Sequence, residues 1–439
     1  MKTNRPSRVL EEFRHLSGRM FKIARALPLR ISIRIKKGIL ARFANNGVHQ
    51  NGFQDLFFYT LSLSTKYGTF FSEKNDISEE GIKDALKNLT KGIGLSYSKP
   101  NIRHCEEHGF ENRNKYHKVH EYFPVDLAKA PELAARAIEQ GLETVRKERA
   151  SANGYYSVYE RFFYLADSKG FLFHPATAVR YGITVTKGGG KGYFAFYHPN
   201  VEKLKVDSVV SEAVDLARRA SQNEISLEPG TYECVFSPRA FLEFMEPLRS
   251  HFDLNLYQSG KSVLSGGLGK RLFSEAFTLR EDITHPKQFG VPFDADGKPK
   301  RKVTLIERGV LKNMLSEGNA THGIRENPFD PENLAAERGS LSLNQIFSKM
   351  KRGIFINKVR YHTLVRETGL EVTGLTTAGS VYIEDGEIQG QLSHVRYHDS
   401  ILAVLREVIA AYQEEILLKD GERGAALLPY FWIAKLHVV

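Results

Sequence analysis

Five side chains that could bind a metal lie close together between residues 103 and 123: His104, Cys105, His108, His117 and His120. Imidazole nitrogen and thiolate sulfur are good zinc ligands, so three or four of them could converge on one ion. The same stretch is rich in charged residues and connects two strand-rich regions, which is typical of a solvated surface connection. The sequence favours the connection and leaves a metal site as an alternative.

A second candidate is the run Gly260-Lys261-Ser262, which ends like a phosphate-binding loop. Such a loop needs a glycine five positions earlier and a helix directly afterwards, so that successive backbone N–H groups face the phosphates. Here Asn255 occupies the first position, and the glycine-rich SVLSGGLG follows instead of a helix. The pattern favours a glycine-rich connection over a nucleotide site.

Other common catalytic motifs are absent from the sequence. There is no G-x-S-x-G, no strand–GxGxxG–helix unit and no H-E-x-x-H or H-E-x-x-x-H. These absences disfavour a serine hydrolase elbow, a Rossmann dinucleotide site and a zinc helix. The two cysteines, Cys105 and Cys234, do not support disulfide stapling, and we expect a reducing, cytoplasmic environment.

The elements that would position any site begin with a strand-rich N-terminal half. Residues 31–73 show strand-like alternation, and Ser78 with the acidic residues after it predicts a helix. The stretch 155–198 again alternates, with turns at Asp167–Gly170 and Gly188–Gly192, and a helix is predicted at 207–220. We therefore predict an N-terminal α+β domain, residues 1–225, built from two related units at about 30–95 and 150–222, each of strands followed by a helix.

The polar segment 221–230 ends in Pro229-Gly230 and marks the predicted domain boundary. Beyond it come short strand-like runs with glycine turns, and two helices are predicted, around 341–353 and at 400–418. The predicted fold class is α+β, with a C-terminal, antiparallel-β-rich domain over residues 226–439.

The composition of the chain limits the classes of partner that the sequence supports. The formal charge is +11, from 62 Lys and Arg against 51 Asp and Glu, but no run of five or six basic residues occurs, which disfavours nucleic acid. No stretch of 18 apolar residues predicts a membrane span. Helical spacing of Val9, Phe13, Leu16 and Met20 predicts a docked amphipathic helix at the N-terminus rather than a targeting peptide.

Four colinear blocks resemble the TldD/PmbA family, metallopeptidases also called modulators of DNA gyrase. They are ARFANNGVHQNG (41–52), FYLADSKGFL (163–172), the run from LSGGLGKRLFSEAFTLREDI through VPFDADGKPKRKVTLIERGVLKNML, and YIEDGEIQG (382–390). The third block is the most specific, since it combines S-G-x-x-G, P-F-D-x-[DE]-G-x-P and L-I-E-x-G-V-L in order.

The resemblance implies a division of labour between two subunit types. TldD carries H-E-x-x-x-H and a cysteine near its C-terminus, which hold zinc, whereas the TldE or PmbA type lacks them. Counting back from Ser265-Gly266 puts Met245, Glu246 and Ser250 at the H, E and H positions, and the segment 421–439 contains no cysteine. His251 lies one residue out of register and is a candidate for the peptide groove, or else, like Glu246, a solvated or salt-bridged residue of a helix face.

The chain therefore resembles the TldE/PmbA type, with no catalytic or metal-binding residue and no cofactor of its own. The resemblance implies a peptidase complex in which a TldD-like partner supplies zinc, as a heterodimer, or a homodimer, with unfolded peptides as substrates. Two alternatives stay open: a self-standing peptidase with an atypical metal site, and a non-enzymatic binding protein associated with gyrase or nucleic acid.

Overall fold

The computed structural model describes residues 5–25, 27–65, 68–96, 116–221, 223–315, 331–392 and 394–439. The helices are α1 (Arg5–Ala24), α2 (Glu79–Ser96), α3 (Ala130–Lys147), α4 (Val206–Ala220), α5 (Pro238–Phe244), α6 (Glu246–Arg249), α7 (Leu254–Gln258), α8 (Leu343–Phe347) and α9 (Ile401–Arg406). Short 3₁₀ turns occupy Leu127–Lys129, Val201–Lys203 and Ser250–Phe252.

The strands fall into an N-terminal group and a C-terminal group. The first holds β1 (Arg30–Ala44), β2 (Gly47–Thr65), β3 (Gly68–Lys74), β4 (Ser151–Asp167), β5 (Gly170–Lys187) and β6 (Gly190–His198). The second begins with β7 (Glu224–Ile225), β8 (Gly230–Phe236), β9 (Leu279–Glu281), β10 (Val303–Glu307), β11 (Val310–Leu311), β12 (Leu334–Ala336), β13 (Arg352–Ile356) and β14 (Lys358–Arg366). It continues with β15 (Glu371–Thr377), β16 (Val381–Glu384), β17 (Glu387–Leu392), β18 (Arg396–Ser400), β19 (Val408–Ala411), β20 (Ile416–Asp420), β21 (Gly424–Leu428) and β22 (Phe431–Val438).

The N-terminal strands form one antiparallel sheet in the order β3-β2-β1-β4-β5-β6. Within it, strands β1–β3 are joined to strands β4–β6 by the pairing of β1 with β4. Alternation decides which side chains face the helices, because successive residues of a strand point to opposite faces. Ile31 and Ile33 of β1 are buried under α1 and α2, whereas Ile39 and Phe43 pack with α3 and α4. The predicted N-terminal helix is confirmed as α1, whose buried stripe is Val9, Phe13, Leu16 and Met20.

The C-terminal strands form two sheets that enclose the largest core. One follows the path β14-β15-β18-β22-β8-β13-β16-β17-β7, with β19 beside β22, and the other is β11-β10-β9-β12-β21-β20. Between the sheets lies an aromatic cluster in which the ring centroids of Phe241 and Phe431 are 4.2 Å apart. The predicted α+β class is confirmed. Residues 224–225, on the N-terminal side of the predicted boundary, pair with β17.

The second face of the N-terminal sheet packs on the loop VPFDADGK at 291–298. Phe163 and Leu165 of β4 contact Val291 and Phe293 of this loop. Polar contacts fasten the same junction: Arg30 bonds Asp296, Tyr116 Oη donates to the Gly297 carbonyl over 2.6 Å, and Arg161 donates to the Glu422 carbonyl. The most family-specific block of the sequence therefore holds the two halves together.

The helix predicted at 400–418 is wrong in its second half. Only Ile401–Arg406 is helical, and β19 and β20 follow. The apolar residues here fit a helix and a strand alike, and pairing of Val408 with Ile433 of β22 decides for the strand. The helix predicted around 341–353 is likewise short, since α8 ends at Phe347 and β13 begins at Arg352.

Candidate functional site

The segment 237–258, which we call the motif segment, leads from β8 into three short helices. Ser237 caps α5: its Oγ accepts the Ala240 N–H over 3.1 Å and donates to the Asn357 carbonyl over 2.6 Å. Pro238 follows at the first helical turn, where a missing N–H costs nothing. The buried face of α5 carries Phe241 and Phe244 into the aromatic core.

Met245 lies at the break between α5 and α6, and only 1% of its surface is exposed. Its thioether is part of the apolar core between the two C-terminal sheets. Pro247, in the first turn of α6, contributes to the break, because proline cannot continue the hydrogen bonding of a helix interior. The position of the first family ligand is thus filled by a core side chain on an interrupted helix.

Glu246 points the other way, with 60% of its side chain exposed. Its Oε2 is 3.0 Å from Nη1 of Arg249, which is largely buried and also donates to the Pro331 carbonyl. The carboxylate therefore forms an ion pair with a guanidinium about one helical turn away. Ser250, at the third family position, opens the 3₁₀ turn Ser250–Phe252.

These residues do not fit a zinc ion. Methionine and serine stand at the two imidazole positions, and the carboxylate between them is paired with a guanidinium. In the part of the chain that the structure describes, no group of three His, Cys, Asp or Glu side chains could hold a metal.

His251 fastens the glycine-rich loop that follows. Its Nδ1 accepts the Val263 N–H over 3.2 Å, and its carbonyl accepts the Ser262 hydroxyl over 2.7 Å. Burial lowers the pKa of the imidazole, which agrees with a neutral ring acting as an acceptor, although Glu367 opposes the shift. The structure thus gives this candidate groove residue a local bonding role.

The same loop cannot cradle a phosphate in this conformation. The N–H of Gly260 bonds the Tyr257 carbonyl, and those of Lys261 and Ser262 bond the Leu256 carbonyl. Gly260 has a φ of 72°, which places a tight left-handed turn where a phosphate loop would present open N–H groups. The sequence's preference for a glycine-rich connection is confirmed.

The histidine and cysteine cluster is only partly within the described residues. His104, Cys105 and His108 lie outside them, as does the segment 316–330. His117 and His120 are exposed, and the ring of His120 lies 4.9 Å from that of Phe123.

A charged cluster in the C-terminal half also has shifted pKa values. Burial raises the pKa of Glu281 to about 7, and both of its oxygens accept the Asn333 N–H. Burial works against the ionised form of Glu332 too, yet Lys300 and Arg423 lower its pKa to about 2. Since Glu281 is 4% exposed and bonded to backbone, the cluster stabilises the fold next to the 291–298 loop.

A second site lies between the free edges of two sheets, and it was not predicted from the sequence. β6 ends the N-terminal sheet and β20 ends the smaller C-terminal sheet, and among the described strands none is hydrogen-bonded to the outer side of either. Between them is a cavity of about 80 Å³, which we call the interdomain cleft. The side chains that define it are Tyr155, Arg180, Tyr193, Tyr197, Arg239 and Lys419.

The cleft combines positive charge with aromatic rings. The Arg180 guanidinium lies 5.3 Å from the Tyr155 ring centroid, and Lys419 Nζ lies 5.7 Å from that of Tyr197. Arg239 donates from Nε to Glu243 over 2.7 Å. Behind Tyr193, Lys358 Nζ stands 4.2 Å from the ring centroid, and burial lowers its pKa. Such an arrangement suits an anionic ligand with an extended backbone.

The chain is similar to known proteins in the sequence of its C-terminal half and in its overall fold. Residues 229–439 match the family model described as PmbA/TldA metallopeptidase C-terminal domain. A metalloprotease of Methanothermobacter thermautotrophicus is 25% identical over 44% of this chain and 47% of its own length. The chain spans about half the length of this relative and of a second archaeal relative from Methanocaldococcus jannaschii.

Solved structures share the fold across the whole chain. A proposed modulator of DNA gyrase from Thermotoga maritima superposes with a TM-score of 0.79 at 19% identity, covering 97% of this chain and all of that one. TldE from Thermococcus kodakarensis gives 0.76 at 17% identity, covering 98% and 99%. At these identities the likeness establishes the fold. Among the described residues, no helix is long and apolar enough to cross a membrane.

Proposed function

We propose that this chain, whose residues 229–439 belong to the PmbA/TldA metallopeptidase C-terminal family, is the zinc-free subunit of a two-part peptidase. In this role it binds unfolded peptides and completes the chamber in which a zinc-bearing, TldD-type partner cuts them. The observation that carries the proposal is the burial of Met245 in the apolar core, at the position of a family zinc ligand.

Three features of the motif segment support a subunit without its own metal. Met245 offers a buried thioether, Ser250 a hydroxyl and Glu246 an exposed carboxylate bonded to Arg249. The first two are poor ligands for catalytic zinc. The third is paired with a guanidinium and has no imidazole at either of the two flanking motif positions.

Binding of extended peptides is supported by the unpaired strand edges. β14 lies at one end of the larger sheet, beside α5, and exposes Tyr361 and Val365 by 69% and 54%. β6 and β20 are further free edges. An added strand satisfies such edges through main-chain hydrogen bonds with little sequence preference, which is how unfolded chains can be recognised broadly.

A reconstitution experiment tests the proposal. The purified chain, a candidate partner from the same source that carries H-E-x-x-x-H, and an equimolar mixture are each incubated with an unstructured peptide, and cleavage is followed by mass spectrometry. We expect cleavage by the mixture to exceed that by the partner alone, and none by this chain alone. Equal cleavage with and without this chain would remove the subunit role.

A further inference from the structure

The interdomain cleft extends along only part of β6. Leu417 of β20 packs against the buried Tyr197 of β6, which fills the space between the two strands at that point. Tyr193 and Arg239, at the start of α5, line the cavity further along β6. A cavity of this extent can receive the end of an extended chain.

The outer edge of β6 can accept such a chain. The Tyr193 carbonyl points away from β5 and accepts the Asn357 side chain over 2.8 Å. In an antiparallel ladder, main-chain groups alternate in direction, so those of Ala195 and Tyr197 share that outward side. Ala195, whose small side chain lies between two tyrosines on the same face, lines the cavity beside this edge.

The size of the cavity limits what can terminate there. A volume of about 80 Å³ corresponds to roughly three water molecules at about 30 Å³ each, which is comparable to one small residue. Burial there displaces water and strengthens any charge interaction.

The charge selects which end of a peptide would fit. The Arg180 guanidinium lies over the Tyr155 ring, and Lys419 Nζ lies near the Tyr197 ring and donates to the Gly424 carbonyl over 2.7 Å. Two cations therefore border the cavity. Buried Glu121, whose pKa Lys419 helps to lower against the effect of burial, offsets part of this charge. The remaining excess is positive, which favours a carboxylate and repels an ammonium group.

We propose that the interdomain cleft receives the carboxyl-terminal residue of a bound peptide. The peptide main chain is added to the outer edge of β6, and its terminal carboxylate lies beside Arg180 and Lys419. This proposal rests on the peptide binding that the proposed function assigns to the chain, and it names the part of the substrate that this surface recognises.

The test uses one unstructured, fluorescently labelled decapeptide of neutral side chains in three forms. The first has a free terminal carboxylate, the second a terminal amide, and the third a terminal amide with glutamate as its last residue. Dissociation constants for the full chain are measured by fluorescence anisotropy at fixed ionic strength. We expect the free acid to bind about ten- to a hundredfold more tightly than the plain amide, as for a charge-assisted hydrogen bond.

Variants identify where the discrimination arises. Arg180→Gln should reduce the preference for the free acid to within about twofold, whereas the matched control Arg366→Gln, on β14 and paired with Glu371, should keep it. Thermal unfolding checks that each variant is folded, and Lys419→Gln replaces R180Q if that variant unfolds.

The outcomes separate this proposal from the function on which it rests. Equal binding of the free acid and the plain amide would overturn the cleft proposal and leave peptide binding intact. Equal binding of the free acid and the glutamate amide would also overturn it, because a side-chain carboxylate would then suffice. No binding of any form would overturn both the cleft proposal and the peptide-binding role.

Discussion

The motif segment and the interdomain cleft differ in how tightly their side chains are packed and in where their charged groups lie. In the motif segment, Met245 and Ala240 are packed into the core, and the Glu246 carboxylate is turned outward. In the cleft, Arg180, Arg239 and Lys419 border an open cavity beside unpaired strand edges. The positions at which the resemblance implies a zinc motif are therefore filled, and the cavity that can receive a ligand lies beside the start of the same segment, at Arg239.

The largest expected effect comes from restoring the family ligands. Met245→His places an imidazole in an apolar core and should lower the free energy of unfolding by about 3 kcal/mol, because its polar nitrogens lack partners there. The matched change Ser250→His, at a half-exposed turn, should cost less than about 1 kcal/mol. Chemical denaturation with and without zinc measures both. Stabilisation of the M245H/S250H double variant by zinc would show that the segment can open into a metal site.

An alanine-to-phenylalanine change in each region compares how tightly the two regions are packed. Ala240→Phe overfills the closed core of α5 and should destabilise the chain by about 1–3 kcal/mol. Ala195→Phe enters the cavity of the cleft and should change stability by less than about 1 kcal/mol while weakening peptide binding. Denaturation and the anisotropy assay give both values. Equal destabilisation by A240F and A195F would contradict the difference between a filled and an open region.

His251 links the motif segment to its glycine-rich loop, so its loss should have a moderate effect. His251→Ala leaves the Val263 N–H without its acceptor and should cost about 1–2 kcal/mol. Chemical denaturation at pH 7.5 measures the difference, with Ser259→Ala in the same loop as a control of smaller effect.

The pH dependence of stability tests the same histidine. Burial lowers the folded-state pKa of His251 and of His362, so the unfolded chain binds more protons between those pKa values and about 6.5. Their contribution is complete above about 6.5 and is lost as the pH falls through the folded-state values. We expect H251A to flatten this decline, and an unchanged slope would contradict the assignment.

The smallest effect is expected at Glu246. Glu246→Gln removes an exposed ion pair with Arg249 and should cost less than about 1 kcal/mol. It should leave the peptidase rate of the reconstituted complex unchanged, because Met245 and Ser250 stand where metal ligands would flank this carboxylate. A large fall in that rate with normal assembly would assign Glu246 a catalytic part.

The N-terminal fold could be predicted well because its signals are local. Alternation in 31–73 corresponds to β1–β3, and the Asp167–Gly170 turn is confirmed, since Asp167 accepts the Lys169 N–H over 2.8 Å. The helix α3 was missed, and 400–418 was predicted as helix although β19 and β20 follow α9. In 400–418 the apolar residues fit a helix and a strand equally well, and the pairing of β19 with β22 favours the strand.

The two functional regions also differ in what the sequence can disclose. The motif segment is continuous, so the residues at the family positions can be read directly from the sequence. The cleft joins Arg180, Arg239 and Lys419, which are far apart along the chain and meet only when the two halves dock. Because the basic residues are distributed along the whole sequence, the sequence does not show that these three meet at one cavity.

Zinc content and peptide cleavage of the purified wild-type chain on its own test the central claim most directly. Metal is measured by mass spectrometry after dialysis against zinc-containing and then zinc-free buffer, and cleavage is measured on the same sample. The account predicts zinc far below one ion per chain and no cleavage. One retained zinc per chain together with cleavage of the peptide would contradict it.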